Sequence, residues 1–272
     1  MLFNRHFLLR TVAPLAALGI AGTVFFDRFF IKHRPFRLRK NPQPTVALKI
    51  AHLSDLHLKS VHFGLRRLCQ QLNQWQPDLL VFTGDSLDDP TKLNCLDELL
   101  GLLDAAVPKV AILGNWEYKR HVDVPQLRQV YARHNCQLLI NESTSFVLQN
   151  KRVAVSGTDD LMQGTANYTK TLAGYKPADY HLLLTHCPQY YDVIRTKYTG
   201  TPPIDLVLAG HTHGGQITFW GFAPLLPLGT GRYVGGWYAA GPPLYVSRGI
   251  GCSTLPIRFG PRAEVALFTV DL

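Results

Sequence analysis

Leu208-Ala209-Gly210-His211-Thr212-His213-Gly214-Gly215-Gln216 closes an apolar run that begins at Ile204. Two histidines stand one residue apart between glycines. Side chains two apart on a strand share a face, and where the strand ends both imidazoles can reach one point above its tip. The glycines let the backbone turn sharply and approach whatever the rings hold. Taken alone, a histidine pair of this kind is more often a surface or core feature than a metal site. The rest of the chain decides between the two readings.

Four other apolar runs end in polar clusters of the same character. Residues 46–53 lead into Ser54-Asp55-Leu56-His57, and residues 78–83 into Gly84-Asp85. Residues 109–113 lead into Gly114-Asn115-Trp116-Glu117, and residues 181–184 into Thr185-His186-Cys187-Pro188. Between these runs, 64–75 has helical spacing (Leu65, Leu68, Leu72, Trp75), as has 93–103 (Leu96, Leu99, Leu100, Leu103), and 124–134 reads as a third helix. Residues 146–148 and 153–156 predict a hairpin. Glycine- and proline-rich loops over 221–243 precede short strands at 244–247 and 263–270. Early strand–helix alternation and late hairpins predict an α/β domain with one mixed sheet or two packed sheets. Ligand sites of such sheets form at the carboxyl ends of strands, which is where the polar clusters fall.

The formal charge of +9 on 272 residues is unevenly spread. Residues 1–40 hold eight Lys and Arg against Asp27 alone, while the rest of the chain is nearly balanced. A balanced body is not the footprint of a nucleic-acid binder, so no nucleic-acid partner is expected. The basic segment surrounds an uncharged, mostly apolar run over 11–26, extended by Phe29, Phe30 and Ile31. That run is shorter than the roughly 20 residues that span a bilayer comfortably. A cleaved signal peptide fits its basic front but not its Phe-Phe-Asp-Arg-Phe-Phe end. A buried core helix leaves the basic flank unexplained. An uncleaved membrane anchor over 1–33 accounts for both, followed by a basic linker over 34–45 and a catalytic domain over 46–272. Six basic residues follow the segment and two precede it, which keeps the body on the cytoplasmic face of the membrane. Five dispersed cysteines without a close pair suggest free thiols in a reducing compartment.

The strand-end clusters comprise Asp55, His57, Asp85, Asn115, His186, His211 and His213. That is oxygen-and-nitrogen ligation without thiolate, suited to Mn²⁺, Fe or Zn²⁺. Seven ligands are too many for one ion and right for two that share a carboxylate. Two ions roughly 3.5–4 Å apart can clamp a phosphate during in-line attack.

Asp-x-His at 55–57, Gly-Asp at 84–85, Gly-Asn-x-Glu at 114–117, a strand-end His186 and Gly-His-x-His at 210–213 follow one another in an order that resembles the calcineurin-like metallophosphoesterases. The resemblance covers residues 46–272. Within that superfamily, His-Thr-His-Gly-Gly-Gln at 211–216, Val-Ser-Arg-Gly-Ile-Gly at 246–251 and Leu-Pro-Ile-Arg-Phe-Gly at 255–260 resemble a membrane-associated or exported branch, and the membrane setting fits the UDP-2,3-diacylglucosamine pyrophosphatases. It implies a two-sheet β-sandwich flanked by helices in four layers, behind the N-terminal anchor helix. It also implies that Asp55, His57 and His213 hold one divalent ion, that Asn115, His186 and His211 hold a second, and that Asp85 bridges them. Asp85, Asn115 and His211 would then take part in catalysis, with Mn²⁺ preferred and Fe or Zn²⁺ as alternatives. The implied reaction converts UDP-2,3-diacylglucosamine to lipid X and UMP in lipid A synthesis, the substrate being a nucleotide-linked lipid. A general or exported phosphodiesterase or phosphomonoesterase is the alternative, as is a metal-binding membrane protein without turnover.

One departure stands out. The family usually carries a histidine after the asparagine, and here that position is Trp116, which neither carries charge nor transfers a proton. His62 and His121 are candidates for the missing role. Arg248 and Arg258 are candidates for phosphate oxygens or for structural roles. His52 reads as a packed core residue. Phe219, Trp220, Phe222, Tyr233, Trp237 and Tyr238 form either an acyl- or membrane-facing lip or part of the core.

Overall fold

A computed structural model describes residues 13–200, 202–239 and 241–272, with the backbone alone for 13–18 and 20. Helix α1 (Ala13–Phe29) leads into β1 (Lys32–Arg39) and β2 (Ala47–Leu53). Next come α2 (Phe63–Trp75), β3 (Leu79–Thr83), α3 (Leu93–Gly101), β4 (Lys109–Ile112), α4 (Asn115–Lys119) and α5 (Val124–Arg133). The second half holds β5 (Cys136–Leu139), β6 (Glu142–Leu148), β7 (Lys151–Gly157), α6 (Tyr168–Leu172), β8 (Tyr180–Leu184) and α7 (Tyr191–Lys197). It ends in β9 (Leu206–Ala209), β10 (Gly236–Tyr238), β11 (Leu244–Val246) and β12 (Glu264–Asp271).

These strands form two six-stranded mixed sheets, ordered β1-β12-β2-β3-β4-β5 and β10-β11-β9-β8-β7-β6. Alternation of side chains decides what each sheet face covers. Leu48, Ile50, Val81, Val110 and Ile112 point from the first sheet toward Val153, Val155, Leu182, Leu206 and Leu208 of the second. The opposite face of the first sheet, with Ala51, Leu53, Leu80 and Phe82, is covered by leucines of α2, α3 and α5. The outer face of the second sheet packs Leu183, Val207 and Ala209 against Tyr191 and Ile194 of α7. The result is four layers, helix–sheet–sheet–helix. Strands buried on both faces read as continuous apolar runs, which is why 78–83 and 204–209 were legible.

The expected linker over 34–45 needs correction, and with it the domain boundary at residue 46. Residues 32–39 are an edge strand, parallel to β12 in the register Phe36↔Phe268. Arg37 and Arg39 alternate with Phe36 and Leu38, while Arg34 shares the face of the two apolar residues, so charge masked a period-two pattern; charged edges also discourage strand-to-strand aggregation. Arg37 reaches Asp271 at 2.9 Å and Arg34 reaches Glu264 at 3.0 Å. Residues 1–12 of the expected anchor lie outside the described residues. Among those described, no helix is long and apolar enough to cross a membrane.

Aromatic rings close the sandwich where its two edges meet. Phe268 of β12 lies 5.4 Å from Phe36 of β1, 5.6 Å from Tyr245 of β11 and 5.9 Å from Trp237 of β10. Truncating Phe268 empties the centre of this cluster. Phe268→Ala is expected to lower the unfolding free energy by about 3–5 kcal/mol, read from equilibrium urea denaturation. A loss below about 1 kcal/mol would mean that the cluster does not hold the sheets together.

Candidate metal centre

All seven expected ligands gather above the carboxyl ends of β2, β3, β4, β8 and β9. Asp55, His57, Asp85, His186, His211 and His213 are buried, and Asn115 is half-buried. The backbone turns that aim them are unusual. Asp55, His57, Asp85, His211 and His213 have φ of 53°, 42°, 53°, 74° and 53°. Left-handed conformations cost a non-glycine residue roughly 1–2 kcal/mol each and persist only where the surroundings over-determine them. Here the sheet ladder continues past the strand ends: the amides of Asp55 and His57 donate to the carbonyls of Gly84 and Asp85 at 3.1 and 2.9 Å. The His211 amide donates to the two Asp55 oxygens at 2.9 and 3.1 Å. Gly210 lets β9 come this close, because a Cβ there would collide with Ser54 Oγ.

Two ligand clusters share one carboxylate. In the first, His57 Nε2 is 3.1 Å from His213 Nε2, and His213 Nε2 is 3.7 Å from Asp55 Oδ1. In the second, His186 Nε2 is 3.1 Å and His211 Nδ1 is 2.9 Å from Asn115 Oδ1. Asp85 Oδ2 lies between them, 3.6 Å from His57 Nε2 and 3.3 Å from His186 Nε2.

The tautomers test whether a cation fits. His186 Nδ1 donates to the Thr83 carbonyl at 2.7 Å, and His211 Nε2 donates to the Leu228 carbonyl at 2.7 Å. In the neutral rings, His186 Nε2 and His211 Nδ1 are therefore bare lone pairs, and both face the Asn115 oxygen. With His186 neutral, three acceptors converge on one point, where a cation would compete with the proton that His186 holds toward Asp85. In the first cluster the Arg258 guanidinium lies 3.2 Å from His213 Nδ1, so the neutral ring carries its proton on Nε2 and directs it at His57. A cation on Nε2 would require the neutral ring to carry its proton on Nδ1 instead, with Arg258 held by its carbonyl partners.

Charge reinforces the pattern. Burial lowers the proton affinity of His186, but the Asp85 and Asp55 carboxylates outweigh it and hold its pKa well above the ordinary value. Burial, with Asp85 beside it, pushes Asp55 up to about 6. Burial lowers His57 to about 4, and burial together with His186 lowers His211 to about 4.

Sequence reasoning missed the residue that supports Asp85. Glu117 is buried and accepts from the amides of Asp85, Ser86, Leu87 and Gly114 at 3.1, 2.6, 3.1 and 2.9 Å. It thereby ties the β3 and β4 loops together; its place in Gly-Asn-x-Glu was the available signal. A second support is a proton-ordered chain: His52 Nε2 to Thr83 Oγ1 at 2.7 Å, Thr83 to Ser54 Oγ at 2.7 Å, and Ser54 to Asp55 Oδ2 at 2.6 Å. His52 is fully buried as expected, and it also orients a ligand.

Other candidates sort themselves. Arg258 is fully buried and donates to the carbonyls of Arg248, Pro261 and Gly251, so its role is structural. Arg248 pairs with Glu264 at 3.0 Å. His62 caps α2, accepting from the Gly64 amide, and His121 is exposed on a surface cleft beside Asp88. Neither joins the ligand clusters. The Cys187 thiol is near His186 and His211, yet burial and Asp160 keep it protonated, and it donates to Asp160. The Trp116 amide donates to Asp85 Oδ1 at 2.9 Å, its ring meets His57 edge-on at 5.7 Å, and Lys119 and Arg120 each lie 4.8 Å from the indole centroid.

Residues 48–215, which include every candidate ligand, match the calcineurin-like phosphoesterase family. The chain belongs to that family. Metallophosphoesterase YkuE of Bacillus subtilis is 31% identical over 229 residues, covering 82% of this chain and 78% of the relative. Phosphodiesterase YaeI of Escherichia coli is 29% identical over 282 residues, covering 98% of each. An Aquifex aeolicus metallophosphoesterase is 29% identical over 255 residues, covering 90% of this chain and 93% of its own. This calcineurin-like phosphoesterase is a metal-dependent phosphoester hydrolase, and divalent ions are its cofactor.

Two outcomes follow from the site. Glu117→Ala leaves buried amides without an acceptor and is expected to cost about 3 kcal/mol of stability, with loss of bound metal on dialysis. Unchanged metal content and unfolding midpoint would remove Glu117 from its supporting role. Asp55 binds a cation only when ionised, so protonation below about pH 6 opposes binding, as does the proton held by His186. Mn²⁺ affinity should therefore rise from about pH 5 to about pH 8, with protons released to the buffer. Calorimetry in buffers of different ionisation enthalpy reads both; a pH-independent affinity without proton release would contradict the assignment.

Proposed function

We propose that this phosphoesterase cleaves a phosphodiester or pyrophosphate bond in a membrane-associated, lipid-linked substrate. UDP-2,3-diacylglucosamine, cleaved to lipid X and UMP, is the substrate to test first. The observation that carries the reading is the placement of the metal centre beside an exposed apolar loop. Leu228, whose carbonyl orients His211, is itself exposed and ends a run that includes Phe219, Trp220, Phe222 and Leu225. A substrate whose phosphate sits at the centre therefore has an apolar surface next to it for acyl chains. The basic N-terminal region and the free cysteines support a place on the cytoplasmic face of the membrane.

When bound, two divalent cations would activate water and offset negative charge on the phosphoryl oxygens. The chain's own residues supply the rest. Asp85 would hold the two ions together, with its second oxygen fixed by the Trp116 amide. His186 and His211 would present lone pairs whose direction is set by the Thr83 and Leu228 carbonyls. Trp116 supplies no acid, so leaving groups that depart without a proton are favoured, as in a nucleoside pyrophosphate. The indole is buried with Lys119 and Arg120 over its ring, so this position brings positive charge near the centre and no proton donor.

A second reading, a general phosphodiesterase, is favoured by the near full-length similarity to the Escherichia coli phosphodiesterase. Membrane fractions with Mn²⁺ would be offered UDP-2,3-diacylglucosamine and bis-p-nitrophenyl phosphate side by side. Release of UMP that falls about a hundred-fold or more in Asp85→Ala and His211→Ala is the expected result. Cleavage of the generic diester alone would remove the lipid assignment and keep the second reading. Metal binding without turnover of either would leave a non-catalytic protein.

A further inference from the structure

We propose that the chain carries an anionic-lipid site separate from the metal centre: a cavity lined by Lys32, Arg34, Arg248 and Arg262 takes a lipid phosphate while the ridge around Trp220 enters the bilayer beside it. The inference rests on the membrane-associated reading above and is independent of which phosphoester is cleaved.

The cavity has a volume of about 720 Å³, within the roughly 300–1,000 Å³ range of small-molecule sites. Its lining includes four cations and no carboxylate. Glu264 lies next to it and is shared by Arg34 and Arg248, each at 3.0 Å. Lys32 and Arg262 have no carboxylate partner among the described residues. Arg262 is held by the Phe30 carbonyl at 2.7 Å and by the Phe26 ring at 4.2 Å, and its Nε is enclosed without a hydrogen-bond partner. An excess of cations fits an anion, and guanidinium groups match phosphate geometry.

The wall of the cavity says which anion. Phe219 and Trp220 line it, and Trp220 is fully exposed, with Phe222 70% and Leu225 82% exposed beyond it. An apolar ridge of this kind, beside cations, suits the headgroup boundary of a bilayer, where tryptophan is favoured. The ridge, the cavity and the end of α1 are bonded to one another. The Thr218 amide donates to the Phe259 carbonyl at 2.9 Å, Gln216 to the Leu255 carbonyl at 3.0 Å, and Arg28 to the Pro256 carbonyl at 2.8 Å. The basic face that follows α1 and the ridge thus meet the same surface, and an anionic bilayer complements both.

The test uses the full chain with vesicles of brominated phosphatidylcholine, with or without phosphatidylglycerol, and reads sedimentation and quenching of tryptophan emission. Quenching is expected to rise several-fold with phosphatidylglycerol and to be largely lost in Trp220→Phe. Lys32→Gln with Arg262→Gln should remove the phosphatidylglycerol increment; Lys32→Gln alone, at an exposed position, should reduce it without moving the unfolding midpoint. Equal quenching in neutral and anionic vesicles, or quenching that survives in Trp220→Phe, overturns the proposal. So does loss of the phosphatidylglycerol increment on adding inorganic phosphate with sedimentation unchanged, which places a free anion in the cavity. Sedimentation without Trp220 quenching overturns this site alone, whereas failure to sediment with any vesicle overturns the membrane reading as well.

Discussion

Buried polar groups crowded around the Asp85 carboxylate organise the upper edge of this protein. Asn115, His186 and His211 face one another, and Asp85 reaches both clusters. Such an arrangement is unfavourable in itself and is sustained by what lies beneath it. Five candidate ligands occupy left-handed backbone, pinned by hydrogen bonds between the β2 and β3 loops and by the carboxylate of Glu117. Two apolar layers of high density hold the strands in place, so that their ends cannot spread to relieve the crowding. Stability stored in the core thus holds together oxygen and nitrogen groups of the kind that would bind divalent cations.

The same logic ties the surface to the centre. His211 takes its tautomer from the Leu228 carbonyl, and Leu228 ends the exposed apolar loop. A loop of low burial therefore sets the direction of a buried ligand. The Asp55 side is different in kind: its support, from His52 through Thr83 and Ser54, lies wholly in the interior. The two halves of the centre thus differ in how closely they are coupled to the surroundings of the protein.

Trp116 gives the site its chemical character. Its amide performs a positioning role on Asp85, which any residue at that point of the turn can perform. Its buried ring packs edge-on against His57 and holds two cations over it. Proton donation is exchanged for packing and positive field.

The candidate ligands were legible in sequence because each follows an apolar run with period-two or continuous hydrophobicity, and such runs end where glycine and polar residues begin. The order of the motifs carried the family, and continuous apolar strands carried the two-sheet core. Edge strand β1 was not legible, since its partner lies more than two hundred residues away and its arginines are neutralised only by Glu264 and Asp271 of β12. Glu117 and the His52–Thr83–Ser54 chain were hidden for the same reason: a hydrogen bond between distant segments leaves no periodic trace. Arg258 read equally as a phosphate ligand or a structural residue until burial excluded solvent from it. Local sequence dictates which residues end a strand and what chemistry they bring. Only the packing of the two sheets decides which strand ends meet, because that depends on contacts among side chains far apart in the chain.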